Sequence, residues 1–202
     1  KNLKIEWKFA QGTKIETIKS LETLDLLKKS GLTFFSFSPE SGSKNLMKKL
    51  NKPFDYKKAL KITRHLNKIG IKTQACFLIG TPEETYYDVF QSIIYSIKLT
   101  IRGVDEIAVF MYSPIPGSEL ASHFKGFKHY SELTRTPTWR KDFKKLLIIR
   151  YVMYMIFFTT KIIFRPFKFI KNMKNIFSKN FETKMEMSIN KLFLIKKLFK
   201  GK

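Results

Sequence analysis

The sequence predicts an α/β fold in which short apolar strands alternate with amphipathic helices. Three observations predict it: strand-like runs at residues 3–9, 33–38, 71–79 and 106–112, helical periodicity between them, and a glycine (Gly31, Gly70, Gly103) at each helix-to-strand return. Strands alternating with helices imply a parallel sheet, because each return to the same edge requires a crossover. Beyond residue 122 the alternation stops. A connecting loop is expected at 123–138 and a basic, Phe/Lys-rich helical extension at 139–202.

Each element carries its own signal. LKIEWKF at 3–9 alternates apolar and polar residues, and residues 11–13 are expected to turn the chain. Ile18, Leu21, Leu24 and Leu27 recur at threes and predict a helix over 17–29. TFFSFS at 33–38 is aromatic and β-prone, and it runs into the polar loop Pro39-Glu40-Ser41-Gly42-Ser43. A short helix follows at 43–50, which Ser43 can cap. Asp55 caps a second, at 56–69, that buries Ala59, Leu60, Ile62, Leu66 and Ile69.

Residues 70–88, GIKTQACFLIGTPEETYYD, combine a helix stop, a buried strand, a glycine turn and a helix start. Thr81 is expected to cap a helix whose first residue is Pro82, with Glu84 completing a capping box. That helix, at 82–99, is expected to bury Val89, Phe90, Ile93, Ile94 and Ile97. EIAVFMY at 106–112 is the last strand, and it leads into SPIPGS at 113–118. The polar or Gly- and Pro-containing loops at Glu40, Gly80 and Pro114 therefore all follow strands, the end where parallel α/β sheets bind ligands.

Composition narrows the classes. The single cysteine, Cys76, excludes an internal disulfide framework and cannot by itself hold an iron–sulfur cluster or a structural zinc. It is expected to be a small core residue, in a reducing, cytoplasmic setting. The formal charge is +23, and residues 126–202 contribute +15 of it with 19 Lys and Arg against 4 Asp and Glu. Such a tail suits nucleic acid, anionic lipid or an acidic partner. The apolar stretch 146–164 contains Arg150 and Lys161, leaving ten uncharged residues between them, short of the roughly 20 a bilayer requires. A buried or membrane-surface helix is expected instead. RPFKFIKNMKNIF at 165–177 reads as a basic amphipathic helix with Phe167, Ile170, Met173 and Ile176 or Phe177 on one face. His65 is expected to be solvated, and His123 and His129 are spaced unlike common zinc ligands. The chain begins with Lys1, as expected of a fragment that lacks an upstream part.

With these elements placed, residues 3–120 resemble the radical S-adenosylmethionine superfamily, specifically the later half of its barrel. The superfamily pattern GxIxGxxE lines up with Cys76-Phe77-Leu78-Ile79-Gly80-Thr81-Pro82-Glu83, and the G-P-x-E-T-like turn of cobalamin-binding members with Gly80-Thr81-Pro82-Glu83-Glu84-Thr85. ESGS matches Glu40-Ser41-Gly42-Ser43, and P-x-P-G-[ST] matches Pro114-Ile115-Pro116-Gly117-Ser118. Arg165-Pro166-Phe167 resembles the start of a helical extension that follows the barrel in cobalamin-type members. Two positions depart: Cys76 stands where the pattern has its first Gly, and Ser38-Pro39 precede Glu40.

The resemblance implies a partial (β/α) barrel with parallel strands, followed by the basic helical extension. It implies S-adenosylmethionine and a four-iron four-sulfur cluster as cofactors, with cobalamin in addition. The CxxxCxxC cluster loop is not in this sequence and is expected upstream, in the remainder of the same polypeptide. By position, Leu78 is implied as an apolar contact to the adenine and Gly80 as the point of close approach. Glu40 and Ser41 are implied to bond ribose hydroxyls or the amino-acid part. Tyr112 to Pro114 are implied to offer backbone groups to the adenine edge. Glu83 is first a helix N-terminal carboxylate and secondarily a nucleoside contact; no catalytic residue is assigned.

Three function classes follow. The favoured one is part of a cobalamin-dependent radical S-adenosylmethionine enzyme, in which cofactors carry the chemistry and protein supplies positioning. The alternatives are a methylthiotransferase acting on RNA and a non-enzymatic basic protein binding nucleic acid or a membrane surface. The expected partners are a small-molecule or lipid-like substrate and a membrane surface contacted through 139–202. Nucleic acid is the less favoured partner, because the tail aromatics fall at helical spacing. The expected location is the cytoplasm, peripheral to the inner face of the membrane.

Overall fold

The structure, a computed structural model, describes residues 5–134 and 136–200. Leu3 and Lys4 of the expected first strand lie outside the described residues. Four strands, β1 (Trp7–Thr13), β2 (Leu32–Glu40), β3 (Lys72–Ile79) and β4 (Glu106–Met111), form one sheet in the order β1-β2-β3-β4 with every neighbouring pair parallel. The crossovers run through α1 (Leu21–Lys29), α3 (Tyr56–Lys68) and α4 (Tyr86–Arg102), with the short α2 (Lys44–Lys49) between β2 and α3. α5 (Phe143–Phe164), α6 (Pro166–Ser178) and α7 (Lys184–Lys200) complete the chain. The α/β expectation, parallel and barrel-like with a helical extension, holds.

The strand alternation divides the sheet into two unlike faces. Phe35, Phe37, Ala75, Phe77, Ile79, Ile107, Val109 and Met111 point toward the helices and join Leu24, Ile62, Leu66, Leu99 and Phe157 in one core. Phe34, Ser36, Gln74, Cys76, Leu78, Glu106 and Ala108 take the opposite face, since the register sets Ser36 against Gln74, Gln74 against Glu106 and Cys76 against Ala108. A sheet with helices on one side and polar groups on the other is half of a barrel wall.

Several boundaries move. β1 runs to Thr13, through the residues expected to turn, with a shift of register between Phe9 and Thr13. α1 starts at Leu21 because Ser20 caps it through the Thr23 amide, so Ile18 is buried ahead of the helix and not on it. The larger correction concerns α4. Thr81 does not cap it: the N-cap is Thr85, whose hydroxyl accepts from the Asp88 amide while the Asp88 carboxylate accepts from the Thr85 amide. Thr85-x-x-Asp88 is itself a capping box, and this second pattern four residues on prevails.

The start of α4 at Tyr86 also changes the face it buries. Ser92, Tyr95, Ser96, Leu99 and Thr100 are buried with Val89, whereas Phe90 is exposed and Ile93, Ile94 and Ile97 are only partly covered. The hydroxyls of Ser92, Ser96 and Thr100 return bonds to Asp88 O, Ile93 O and Ser96 O, so they can be buried at little cost. Periodicity counted on apolar residues alone could not see a face built of small hydroxyls. On α6, similarly, Asn172, Asn175 and Ile176 face inward while Phe167, Ile170 and Phe177 are exposed. The Glu186 carboxylate explains this, accepting from both Asn172 and Asn175. His65, expected to be solvated, pairs with Asp25 at 2.7 Å.

Candidate functional site

Parallel strands put every carboxyl end on one edge, and here that edge gathers the three motif loops. Glu40 lies opposite Phe77, Ile79 opposite Met111, and the Tyr112 amide donates to Ile79 O at 2.8 Å. The loops that begin at Glu40, Gly80 and Tyr112 are therefore neighbours along one rim. Their sequence separation is closed by the crossover helices.

The first loop is stitched to α4. The Ser92 hydroxyl accepts from the Gly42 amide at 2.8 Å and lies 3.1 Å from the buried Ser41 hydroxyl, which also accepts from the Ser43 amide. A Cβ on Gly42 would come within 2.3 Å of Gln91 O, so only glycine lets the loop touch the helix backbone. Ser43 caps α2 through the Leu46 amide. Ser41 thus serves the loop's own architecture, whereas Glu40 has a φ of 56° and its carboxylate accepts from Lys52 Nζ at 3.3 Å. Glu83 also has positive φ, 62°, and is exposed beside Lys49 at 2.9 Å, an ammonium that holds its carboxyl below the usual range.

The second and third loops are held together by Arg140, which the sequence offered no motif to find. One nitrogen of its buried guanidinium donates to Gly80 O at 2.8 Å and Tyr112 O at 2.7 Å. The others pair with Asp142 at 2.8 and 2.7 Å, and the group lies 4.7 Å from the Phe124 ring centre. A Cβ on Gly80 would meet Leu146 at 2.7 Å and Arg140 at 3.0 Å. The close approach that Gly80 permits is thus taken by α5 and Arg140. Its amide is taken too, by the Glu84 carboxylate at 2.5 Å. Burial pushes that carboxyl up to about 7, against the pull of the Gly80 amide. Pro114 is buried, and Tyr112, half-buried, packs on Phe124.

The polar face of the sheet runs up to this rim. Across its amino-terminal half the Ser36 hydroxyl donates to Gln74 Oε1 at 2.9 Å, Gln74 Nε2 donates to Glu106 at 2.5 Å, and the Met185 amide donates to Glu106 at 2.6 Å. Lys184 reaches Ala10 O at 2.9 Å, so the start of α7 closes this half. Cys76 sits on this face and not in the helix-side core, its thiol pushed up by burial. Farther up, Leu78 is only partly covered. Among the described residues no group of three or more His, Cys, Asp or Glu is placed to hold a metal ion. The Ser36–Gln74–Glu106 row escaped the sequence reading because its members are separated by about thirty residues or more; the one available signal was polar residues alternating within otherwise apolar strands.

No protein-family model matches the chain. It is 28% identical over 127 residues, 59% of its length, to cytidylyl-2-hydroxyethylphosphonate methyltransferase of Streptomyces wedmorensis. It is 31% identical over 94 residues to an uncharacterized protein of Methanopyrus kandleri. The chain spans only 23% and 16% of these two relatives. Among solved structures, its fold matches coproporphyrinogen III oxidase (HemN) of Escherichia coli, described as a radical SAM enzyme. That match has a TM-score of 0.50 at 20% identity, over 67% of this chain and 30% of the oxidase.

Proposed function

We propose that this chain, a distant relative of the radical S-adenosylmethionine superfamily, forms the adenosyl-binding half of a barrel enzyme whose reaction class is cobalamin-dependent methyl transfer or related C–H chemistry. The observation that carries the proposal is the meeting of three motif loops on one rim, above a sheet face that is polar and closed below but only partly covered at Leu78. Homology to a methyltransferase supports the reaction class.

Two residues at the rim offer the groups that an adenosyl ligand would use. Glu40 has a single cation on one carboxylate oxygen, which leaves acceptor capacity for a hydroxyl pair. Leu78 offers partly uncovered apolar surface on the same side. The carbonyls of Gly80 and Tyr112 already have a donor in Arg140, so their part is to hold the rim's shape. In this proposal S-adenosylmethionine, a four-iron cluster ligated from outside this sequence and cobalamin supply the one-electron and methyl-transfer chemistry. The chain's own work is to orient the nucleoside at Glu40 and Leu78, and to exclude water from the floor through the α7 cover.

Titration calorimetry of the chain with S-adenosylhomocysteine tests this. Saturable binding is expected, weakened about tenfold, or 1.4 kcal/mol, by Glu40→Ala and by Leu78→Asp, and unaltered by Lys98→Ala on the far side of α4. A folded chain that takes up no ligand, or binding indifferent to both rim substitutions, would overturn it.

A further inference from the structure

The outer side of α5 is the largest feature that the adenosyl rim leaves unexplained. Ile148, Tyr151, Val152, Met155 and Ile162 recur at threes, fours and sevens and are 63%, 60%, 41%, 66% and 48% exposed. Contrary to the expectation from the ten residues between Arg150 and Lys161, the helix, 22 residues long, is apolar enough to cross a membrane by length and composition. Its other side is fastened to the domain. Met153 and Phe157 are buried in the core, the Tyr154 hydroxyl accepts from the Val109 amide, and Lys161 Nζ donates to Asp105 O at 2.6 Å. Spanning a bilayer would break all of these, so the exposed stripe can be reached only from the side. α6 follows after the single linking residue Arg165 and leaves Phe167 and Ile170 87% and 62% exposed. Large apolar side chains exposed in such number on a folded chain mark an interaction site.

Charge decides the occupant. Residues 143–181 contain nine Lys and Arg and no Asp or Glu. Lys161 and Lys168 are spent on Asp105 and Lys171 on Glu182, while Lys144, Lys174 and Lys179 are exposed. A second copy carries the same +23 and repels. A bilayer with anionic headgroups supplies hydrocarbon for the stripe and counter-charge for the lysines at once. We infer that α5 and α6 dock the protein on an anionic membrane surface, lying in the interface without spanning it.

Vesicle flotation of the full chain decides the matter, with phosphatidylcholine alone and with an equimolar mixture of phosphatidylcholine and phosphatidylglycerol. Flotation with the anionic vesicles is expected, reduced at least tenfold by Ile148→Ser with Met155→Ser and by high salt. Both substituted side chains are exposed, and an unchanged circular dichroism melt verifies that the variant is folded. Three results would overturn the inference: no flotation with anionic vesicles, flotation that the paired substitution leaves unchanged, or a concentration-dependent dimer in sedimentation velocity that the same substitutions dissolve. The last would assign the face to a second copy.

Discussion

Replacing Arg140 with methionine removes the tie between the second and third rim loops while keeping most of the side chain's volume. Its guanidinium is the donor given to both Gly80 O and Tyr112 O, and the side chain is only 6% exposed. A hydrogen bond from a charged donor contributes about 1.5–3 kcal/mol, and a stranded buried carbonyl costs about 1–3 kcal/mol. The crevice beside Gly80 and Arg140, about 80 Å³, admits a water that recovers part of this. A net loss of about 3 kcal/mol follows. At a slope of about 2 kcal/mol per molar urea, the unfolding midpoint falls by about 1.5 M. Asp142 is the control: its side chain is 43% exposed, so Asp142→Asn removes the ion pair but costs under about 1 kcal/mol. Urea titration followed by tryptophan fluorescence measures both. A loss below about 1 kcal/mol for Arg140→Met, or equal losses for the two variants, would refute the clamp.

Three further outcomes are expected. Glu84 has a folded carboxyl raised from 4.5 to about 7, so the stability it contributes is complete below its unfolded value and is lost as pH rises through about 7. The loss amounts to about 3 kcal/mol at most, and the wild type's stability should fall relative to Glu84→Gln between pH 4.5 and 8; parallel pH profiles would contradict this. Gly42→Ala sets a Cβ against Gln91 O and Ser92 Cα, at 2.3 and 2.7 Å. It should cost about 2 kcal/mol and lower Tm by about 4–8 °C; an unchanged melt would mean the loop is not pressed on α4. Reconstitution of the chain with iron and sulfide should yield no four-iron absorption, because Cys76 is its single thiol. A full cluster spectrum would contradict that expectation.

Features carried by neighbours along the chain were legible from residue spacing. Strand–helix alternation, the caps at Ser43 and Asp55, the helix start at Pro166 and the parallel sheet all follow from local spacing, and so does the gathering of the loops at Glu40, Gly80 and Pro114 on one edge. The α4 start was misplaced because two capping-box patterns follow one another within residues 81–88; in the fold the Glu84 carboxylate is taken by the Gly80 amide and the second pattern forms the cap. Arg140, the Ser36–Gln74–Glu106 row and the docking of Ser92 against Gly42 were decided by tertiary contacts. Each depends on a partner dozens of residues away, and a buried polar group is tolerated only where the fold supplies that partner. The outward stripe of α5 belongs with these. Hydropathy shows that the helix is apolar, but which side the domain covers is set by where Met153, Tyr154 and Phe157 find their contacts.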